Sequence, residues 1–538
     1  MRNRIYRIFP SEEEIPQKFR LKQQVSQKEY LINGELRIWD GPAQDVLSPV
    51  CVRTPSAIFR KEIGSYPLLT KTEALQALDA AYSAYNDGRG YWPSMSVRDR
   101  IWHIEEFIRR MLTRKNEIVK LMMWEIGKSY SDSKREFDRT VRYTKKTFAA
   151  LRKLDCDSSK FITEKGITGL IGRAPLGVVL CMGPFNFPLY ETFTTLIPAL
   201  LMGNTVVFKP PKLGVLLHRP MLKAFKSSFP PGVVNTVYGE GQRVIAPLIS
   251  SGRIDVLAFI GSSRVAELLK SLHPKPHRLR SILGLEAKNP AIVLSDADLD
   301  LAVKECIAGC LSFNGQRCTA LKIIFVHKGI AERFLDKFAF GIERLRTGMP
   351  WVKNVTITPL PDPGKTGFLA ELVEDAVKHG ARIINRDGGA VNRTFFYPAL
   401  LYPVGPGARI YKEEQFGPVV PVVPFDDIEY PLRYIIESNY GQQASIFGSD
   451  ADRIASLADV LVNHVCRVNI NSMCQRGPDI FPFSGRKDSG EGTLSVSDAL
   501  KLFSIRTIVA AKDVKSNRAM LSKILRKRKA GLSSSRIS

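Results

Sequence analysis

Along the first third of the chain, apolar residues recur every three or four positions. The segments "TEALQALDAAYSAYN" (72–86), "RIWHIEEFIRRMLTRKNEIVKLMMWEIG" (100–127) and "SKREFDRTVRYTKKTFAALRKL" (133–154) therefore predict amphipathic helices. After Arg173 the texture changes. "LGVVLCMGPFNFP", "NTVVFKPP", "GVVNTVYGEG" and "IDVLAFIGSS" are short apolar or β-branched runs closed by Gly, Pro or Ser, with helical stretches such as "TFTTLIPALLMG" between them. The alternation resumes at "NPAIVLS" (289–295) and runs through "ALKIIFVHKG" to "QASIFGSD" and "CRVNINSM". Strands alternating with helices predict parallel sheets covered on both faces, an α/β class. Two such domains in tandem suit 538 residues better than one very wide sheet. Ligands of doubly wound sheets lie beyond the carboxyl ends of strands, so the Gly- and Pro-rich loops there are the expected place for chemistry.

Composition narrows this picture mainly by exclusion. Apolar residues at 44% and charged residues at 24% are ordinary for a soluble globular chain. No apolar run approaches the roughly 20 residues that span a bilayer, and "MRNRIYRIFPSEEEIPQKF" lacks the apolar core of a signal peptide. A cytoplasmic protein without a membrane span is expected. Eight cysteines without C-x-x-C spacing and seven scattered histidines argue against a disulfide framework and against a metal site. The net charge of +25 is spread along the chain apart from residues 512–538, where nine Lys/Arg face one Asp. That tail reads as a solvated helix with a frayed end, and no nucleic-acid partner is expected.

Candidate chemistry sits in several loops. "FNGQRCTALK" (313–322) sets Cys318 directly after Arg317 in a polar stretch. A cysteine is ordinarily a small buried hydrophobe, but positive charge and backbone N–H groups favour the thiolate and make it a nucleophile. "VVFKPPK" ends an apolar run in Lys209, two prolines and Lys212, a placement that suits a nucleotide hydroxyl or phosphate. "FIGSS" offers a tight turn at another strand end, where backbone N–H groups can meet a pyrophosphate.

In this order, "GPFNFP", "FKPP", "FIGSS", "GQRC", "EEQFGPV" and "PFSGRKDSG" resemble the aldehyde dehydrogenase superfamily, over about residues 70–511. The resemblance implies an aldehyde dehydrogenase-like fold: two Rossmann-like parallel-sheet domains and a small β arm that builds homodimers or homotetramers. The first 30 residues are polar and read as an extension, followed by a helix-rich part and dinucleotide-binding domain over 31–283, with an arm strand near 150–172. A catalytic domain over 284–478 and a return segment and arm over 479–511 come next, and the basic tail over 512–538 lies beyond the resemblance. Carried over residue by residue, Cys318 matches the nucleophile and Asn186 the amide that stabilises the oxyanion. Lys209 matches the adenine-ribose contact, Gly261 and Ser262 the pyrophosphate turn, and Glu414 with Phe416 the nicotinamide-ribose clamp.

The sequence also departs from the family's common pattern. Three residues after Lys209, an acidic residue often holds a free ribose 2′-hydroxyl; here Lys212 stands there, which favours NADP, with NAD the second choice. Arg139, Arg317 and Arg476 make the chain most similar to the NADP-dependent non-phosphorylating glyceraldehyde-3-phosphate dehydrogenases, in which arginines grip the substrate phosphate. A phosphorylated aldehyde oxidised to 3-phosphoglycerate is therefore the expected reaction. The family's general base is missing: "GLEAKNP" puts Gly284 in its place, and the nearest carboxylate is Glu286. Glu286 is the expected replacement base. Transfer of the acyl group to coenzyme A and a catalytically silent nucleotide-binding or scaffold protein of the same fold are the competing readings.

Overall fold

Helices occupy Lys71–Tyr85, Val97–Thr113, Lys115–Ile126 and Tyr130–Asp157 in the computed structural model, which describes residue 5, residues 7–158 and residues 160–530. Each start has a local cause. Thr70 and Glu73 form a capping box on the first helix, and Ser96 and Ser129 accept the Asp99 and Asp132 N–H groups. The single apolar pattern of 100–127 is two helices, because Arg114 leaves helical geometry at φ −104° and ψ 8°. Ahead of them the helix-rich reading gives way to strands, chiefly the antiparallel ribbon of Ala43–Arg53 and Ile58–Pro67. The polar extension is anchored as well: Phe9, Ile15 and Phe19 are buried, and the Trp124 indole N–H donates to the Phe19 carbonyl at 2.8 Å.

Two sheets carry the rest. The first runs in the order Val234–Thr236, Thr205–Lys209, Val178–Met182, Val256–Ile260, Arg280–Gly284, all parallel, with Gly490–Glu491 antiparallel at its edge. Chain order reverses between Val178–Met182 and Val256–Ile260, so the loops leaving these two strands, Gly183–Asn186 and Gly261–Ser262, open at the topological switch point. The second sheet runs Arg382–Ile383, Ala399–Tyr402, Val419–Phe425, Leu321–His327, Asn289–Val293, Gln443–Phe447, Arg467–Ile470. Only the residues Leu285–Lys288 separate the end of Arg280–Gly284 from the start of Asn289–Val293. The carboxyl edge of the first sheet is thereby brought to the amino edge of the second.

A third sheet pairs Ser504–Lys512 with Ile167–Pro175 over nine residues, and Ile167–Pro175 with Phe161–Glu164. This arm starts later than the sequence suggests, because Tyr130–Asp157 stays helical to its end. The basic tail is helical over Lys515–Ala530, where Leu521 is buried and Lys515, Arg518, Lys523, Arg526 and Lys527 are exposed; its last residues, 531–538, lie outside the described residues. No described helix is long and apolar enough to cross a membrane.

Candidate active site

Cys318 owes its position to strained backbone. Phe313, Asn314 and Gly315 take φ of 50°, 58° and 69° in succession, a left-handed turn costly for the first two. Gly315 is required here, since a Cβ would lie 2.7 Å from the carbonyl oxygens of Cys310 and Gly417. Asn314 repays the strain by bonding Thr358 twice, its Nδ2 donating to Oγ1 at 3.1 Å and its Oδ1 accepting from the amide N–H at 2.8 Å. Asn289 Nδ2 then ties down the carbonyls of Cys318 and Ala320 at 2.8 and 3.0 Å. The main chain of Cys318 is fixed, while its side chain stays half-buried.

The thiol faces a cavity of about 750 Å³, whose wall includes Asn186, Glu191, Lys209, Cys318, Glu286 and Glu414. Lys212, Gly261, Ser262 and Phe416 line it too, so nine of the sequence-predicted site residues come together. The chemistry is not confined to strand carboxyl ends as the sheet rule suggests. Asn186 and Gly261 follow strands of the first sheet and Lys209 ends one, whereas Cys318 and Glu414 precede Leu321–His327 and Val419–Phe425 of the second. Tandem sheets meeting edge to edge make one site from opposite strand ends.

Asn186 is 5% exposed and donates through Nδ2 to the Gln316 carbonyl at 2.9 Å, which couples its loop to that of Cys318. Behind it lies a buried support that sequence reading missed. Lys128 Nζ pairs with Glu136 Oε2, donates to the Asn186 carbonyl at 2.6 Å and lies 3.6 Å from the Phe187 ring centre. Glu136 Oε1 accepts the Leu189 and Tyr190 N–H groups at 3.0 Å each. Lysine and glutamate eight residues apart in a helical region, "KSYSDSKRE", give no hint that both point inward.

Burial raises the Cys318 thiol above its ordinary range; Glu191 also raises it, and Lys322 and Arg476 oppose the shift. Arg317, next in sequence, does not point at the cavity: Nη2 donates to the Ala308 and Gly309 carbonyls at 3.2 and 2.7 Å. A raised pKa means that deprotonation, and with it reactivity, is reached at higher pH. Iodoacetamide modification of Cys318 is expected to quicken with rising pH and to keep quickening beyond pH ~8.5, where an ordinary thiol is half ionised. A rate that levels off below pH 7 would contradict this environment.

Of the groups predicted to meet a dinucleotide, Lys209 is half-buried, and partial loss of solvent with help from Lys212 lowers its pKa to about 8. Among the described residues its Nζ donates only to the Pro210 carbonyl, at 3.3 Å. Lys212 is exposed. Ser262 caps the helix Ser263–Leu272, and Glu286 Oε2 already accepts the Ser263 N–H at 2.7 Å. Glu414 Oε1 is held by Lys322 Nζ and by the Ala287 N–H at 3.2 Å. Phe416 packs on Phe185 with ring centres 5.9 Å apart.

The three arginines lie behind the cavity wall rather than in it. Arg139 pairs with Asp479 at 2.6 Å and stacks on Tyr190 with its guanidinium carbon 4.2 Å from the ring centre. Arg476 Nε lies 2.9 Å from Glu191 Oε1 without aligning its N–H on that oxygen, and Nη1 donates to the Leu494 carbonyl at 3.0 Å. Glu191 is the residue the sequence reading passed over. A single carboxylate in the wholly buried helix Tyr190–Leu201 was the available signal, since an acid in such a run needs a reason.

The aldehyde dehydrogenase family model matches residues 48–509. The chain belongs to the aldehyde dehydrogenase family. It is therefore an NAD(P)-dependent aldehyde dehydrogenase by family. An NADP-dependent glyceraldehyde-3-phosphate dehydrogenase of Arabidopsis thaliana is 34% identical over 89% of this chain and 96% of its own length. A lactaldehyde dehydrogenase of Methanococcus aeolicus is 28% identical over 83% and 94%. The crystal structure of NADP-dependent glyceraldehyde-3-phosphate dehydrogenase from Bacillus halodurans, complexed with NADP, superposes with a TM-score of 0.82 at 30% identity, covering 91% of this chain and all of that one.

Proposed function

We propose that this aldehyde dehydrogenase uses NADP and oxidises glyceraldehyde 3-phosphate to its carboxylate through a thioester on Cys318. The observation that carries the reading is the meeting of Cys318 and Asn186 with Lys209 and Lys212 in one cavity. Cys318 gives up its proton and attacks the carbonyl carbon. Negative charge grows on the carbonyl oxygen, which the Cys318 backbone N–H and Asn186 Nδ2 receive; the amide has two hydrogens and gives one to Gln316, leaving the other for substrate. When bound, NADP supplies the acceptor for the hydrogen and electron pair that leave this carbon. Water then cleaves the thioester.

The residues present fit a phosphorylated dinucleotide at the strand end. The half-buried ammonium of Lys209 has unused donors, and a nucleotide hydroxyl or phosphate would complete them. Lys212 attracts a 2′-phosphate that a carboxylate in its place would repel. Its exposure screens that attraction well below the ~4 kcal/mol of a pair 4 Å apart at an effective dielectric of 20. Glu286 opposes the fit at one point, because its carboxylate holds the amide that a pyrophosphate would use.

The substrate rests on the named relatives and on Arg139 and Arg476, which flank Tyr190 beside the cavity. A second reading has a specific basis: Asp479 and Glu191 neutralise these two arginines, which favours an uncharged short hydroxyaldehyde. Initial rates with glyceraldehyde 3-phosphate, glyceraldehyde and lactaldehyde, each with NADP and NAD, separate the readings. The proposal expects the phosphorylated substrate with NADP to have the highest kcat/KM, and Lys212→Glu to cut NADP efficiency about tenfold, ~1.4 kcal/mol. Preference for the unphosphorylated aldehydes would reject glyceraldehyde 3-phosphate, and an unchanged NADP efficiency in the variant would reject the role of Lys212.

A further inference from the structure

Any enzyme that hydrolyses a thioester at neutral pH needs a group to take a proton from water, and Gly284 has none to offer. Five carboxylates line the cavity: Asp45, Glu191, Glu286, Asp362 and Glu414. Asp45 and Asp362 are exposed to solvent. Glu286 is engaged at the start of the helix Ser263–Leu272 by the Ser263 N–H, and Glu414 by Lys322 and the Ala287 N–H. Glu191 is different. It is 6% exposed, its Oε1 meets Arg476 in a close but misaligned pair, and its Oε2 receives the Thr194 hydroxyl only at 3.4 Å. Thr194 spends its better bond, at 2.7 Å, on the Glu191 backbone carbonyl.

A buried carboxylate with lone pairs to spare, opening on the cavity that holds the reactive sulfur, is an acceptor waiting for a polar hydrogen. We propose that Glu191 is the general base for deacylation, taking a proton from the water that cleaves the Cys318 thioester. The assignment rests on the thioester reading above. Water's oxygen bonds to the acyl carbon as one of its protons passes to Glu191 Oε2. The tetrahedral oxyanion collapses, the carbon–sulfur bond breaks, water's other proton passes from the new acid to the Cys318 thiolate, the product leaves as the carboxylate, and Glu191 releases its proton to solvent. Nothing is oxidised or reduced in this step.

The surroundings suit a base. Burial raises the Glu191 carboxyl above its usual range, and Arg476 and Arg139 oppose that rise, keeping the carboxylate form accessible while making it a better proton acceptor than an exposed acid. Of the carboxylates acting on the Cys318 thiol, Glu191 has the larger effect and Glu414 the smaller. Arg476 is then a positioning residue. Its guanidinium, anchored on the Leu494 carbonyl, fixes the Glu191 side chain.

The test is a rapid-mixing experiment on the full chain with NADP and the best aldehyde substrate. Glu191→Gln should release one NADPH per active subunit in a burst at the wild-type rate and then turn over at least 100-fold more slowly than wild type. Hydroxylamine, which attacks thioesters without a base, should restore turnover. Gly284→Glu added to Glu191→Gln should restore turnover in water, because a Cβ at residue 284 meets nothing closer than the Ile260 side chain at 3.4 Å. Glu191→Asp, which keeps the charge opposite Arg476, should retain the burst with intermediate turnover. Turnover of Glu191→Gln within threefold of wild type would overturn the assignment. So would loss of its burst, or burst-then-stall behaviour in Glu286→Gln instead. If wild type forms no NADPH from any aldehyde, the thioester reading itself falls.

Discussion

Cys318→Ser is expected to abolish NADPH formation from every aldehyde, lowering kcat by at least ~10⁴-fold, or ~5.5 kcal/mol of barrier. A hydroxyl ionises far less readily than a thiol, and an alkoxide bound to the acyl carbon gives an ester that water cleaves more slowly. No cavity is created and the backbone anchors from Asn289 and Asn314 do not involve the sulfur. The variant should therefore fold and melt like wild type. Steady-state rates beside a thermal melt check both halves of the expectation, and residual activity above one per cent would make the sulfur dispensable.

Asn186→Ala carries the second large effect. Removing one preorganised donor to a developing oxyanion costs ~10²–10³ in rate, ~2.7–4 kcal/mol, and the loss belongs in kcat with KM little changed, because the charge exists only in the transition state. This residue also has a structural bond. Without Nδ2 the Gln316 carbonyl loses a partner in a buried setting, a penalty of ~1–3 kcal/mol that lowers the melting temperature. Rate and stability should thus fall together in Asn186→Ala, whereas only the rate falls in Cys318→Ser. A rate loss under threefold in Asn186→Ala would place the oxyanion elsewhere.

Much of this was legible in the residues because the relevant signals are local. Strand-ending loops such as "FKPP" and "FIGSS" mark themselves by Gly, Pro and Ser, and the Cys318 loop by its polar run. What escaped depends on contacts far apart in sequence. Arg139 and Asp479 are separated by 340 residues, and Glu191 and Arg476 by 285 (476 − 191), so no window over the chain reveals that the arginines meet carboxylates. The strand ribbon at 43–67 escaped for a different reason. Its inner face is buried in an alternation interrupted by register shifts at Val46, Leu47 and Cys51, which blur the period of two. Glu286 shows the limit of spacing arguments: two residues beyond Gly284 it lines the right cavity, yet its carboxylate is drawn to the Ser263 amide.

The covalent intermediate is the core of the account, and it can be seen directly. Protein mixed with excess aldehyde and NADP, quenched in acid after one turnover and digested, should yield a peptide heavier by the acyl group, with the added mass on Cys318 and none on Cys310 or the other cysteines. NADPH formed with no acyl mass on any cysteine, or with the mass on a residue other than Cys318, would contradict it.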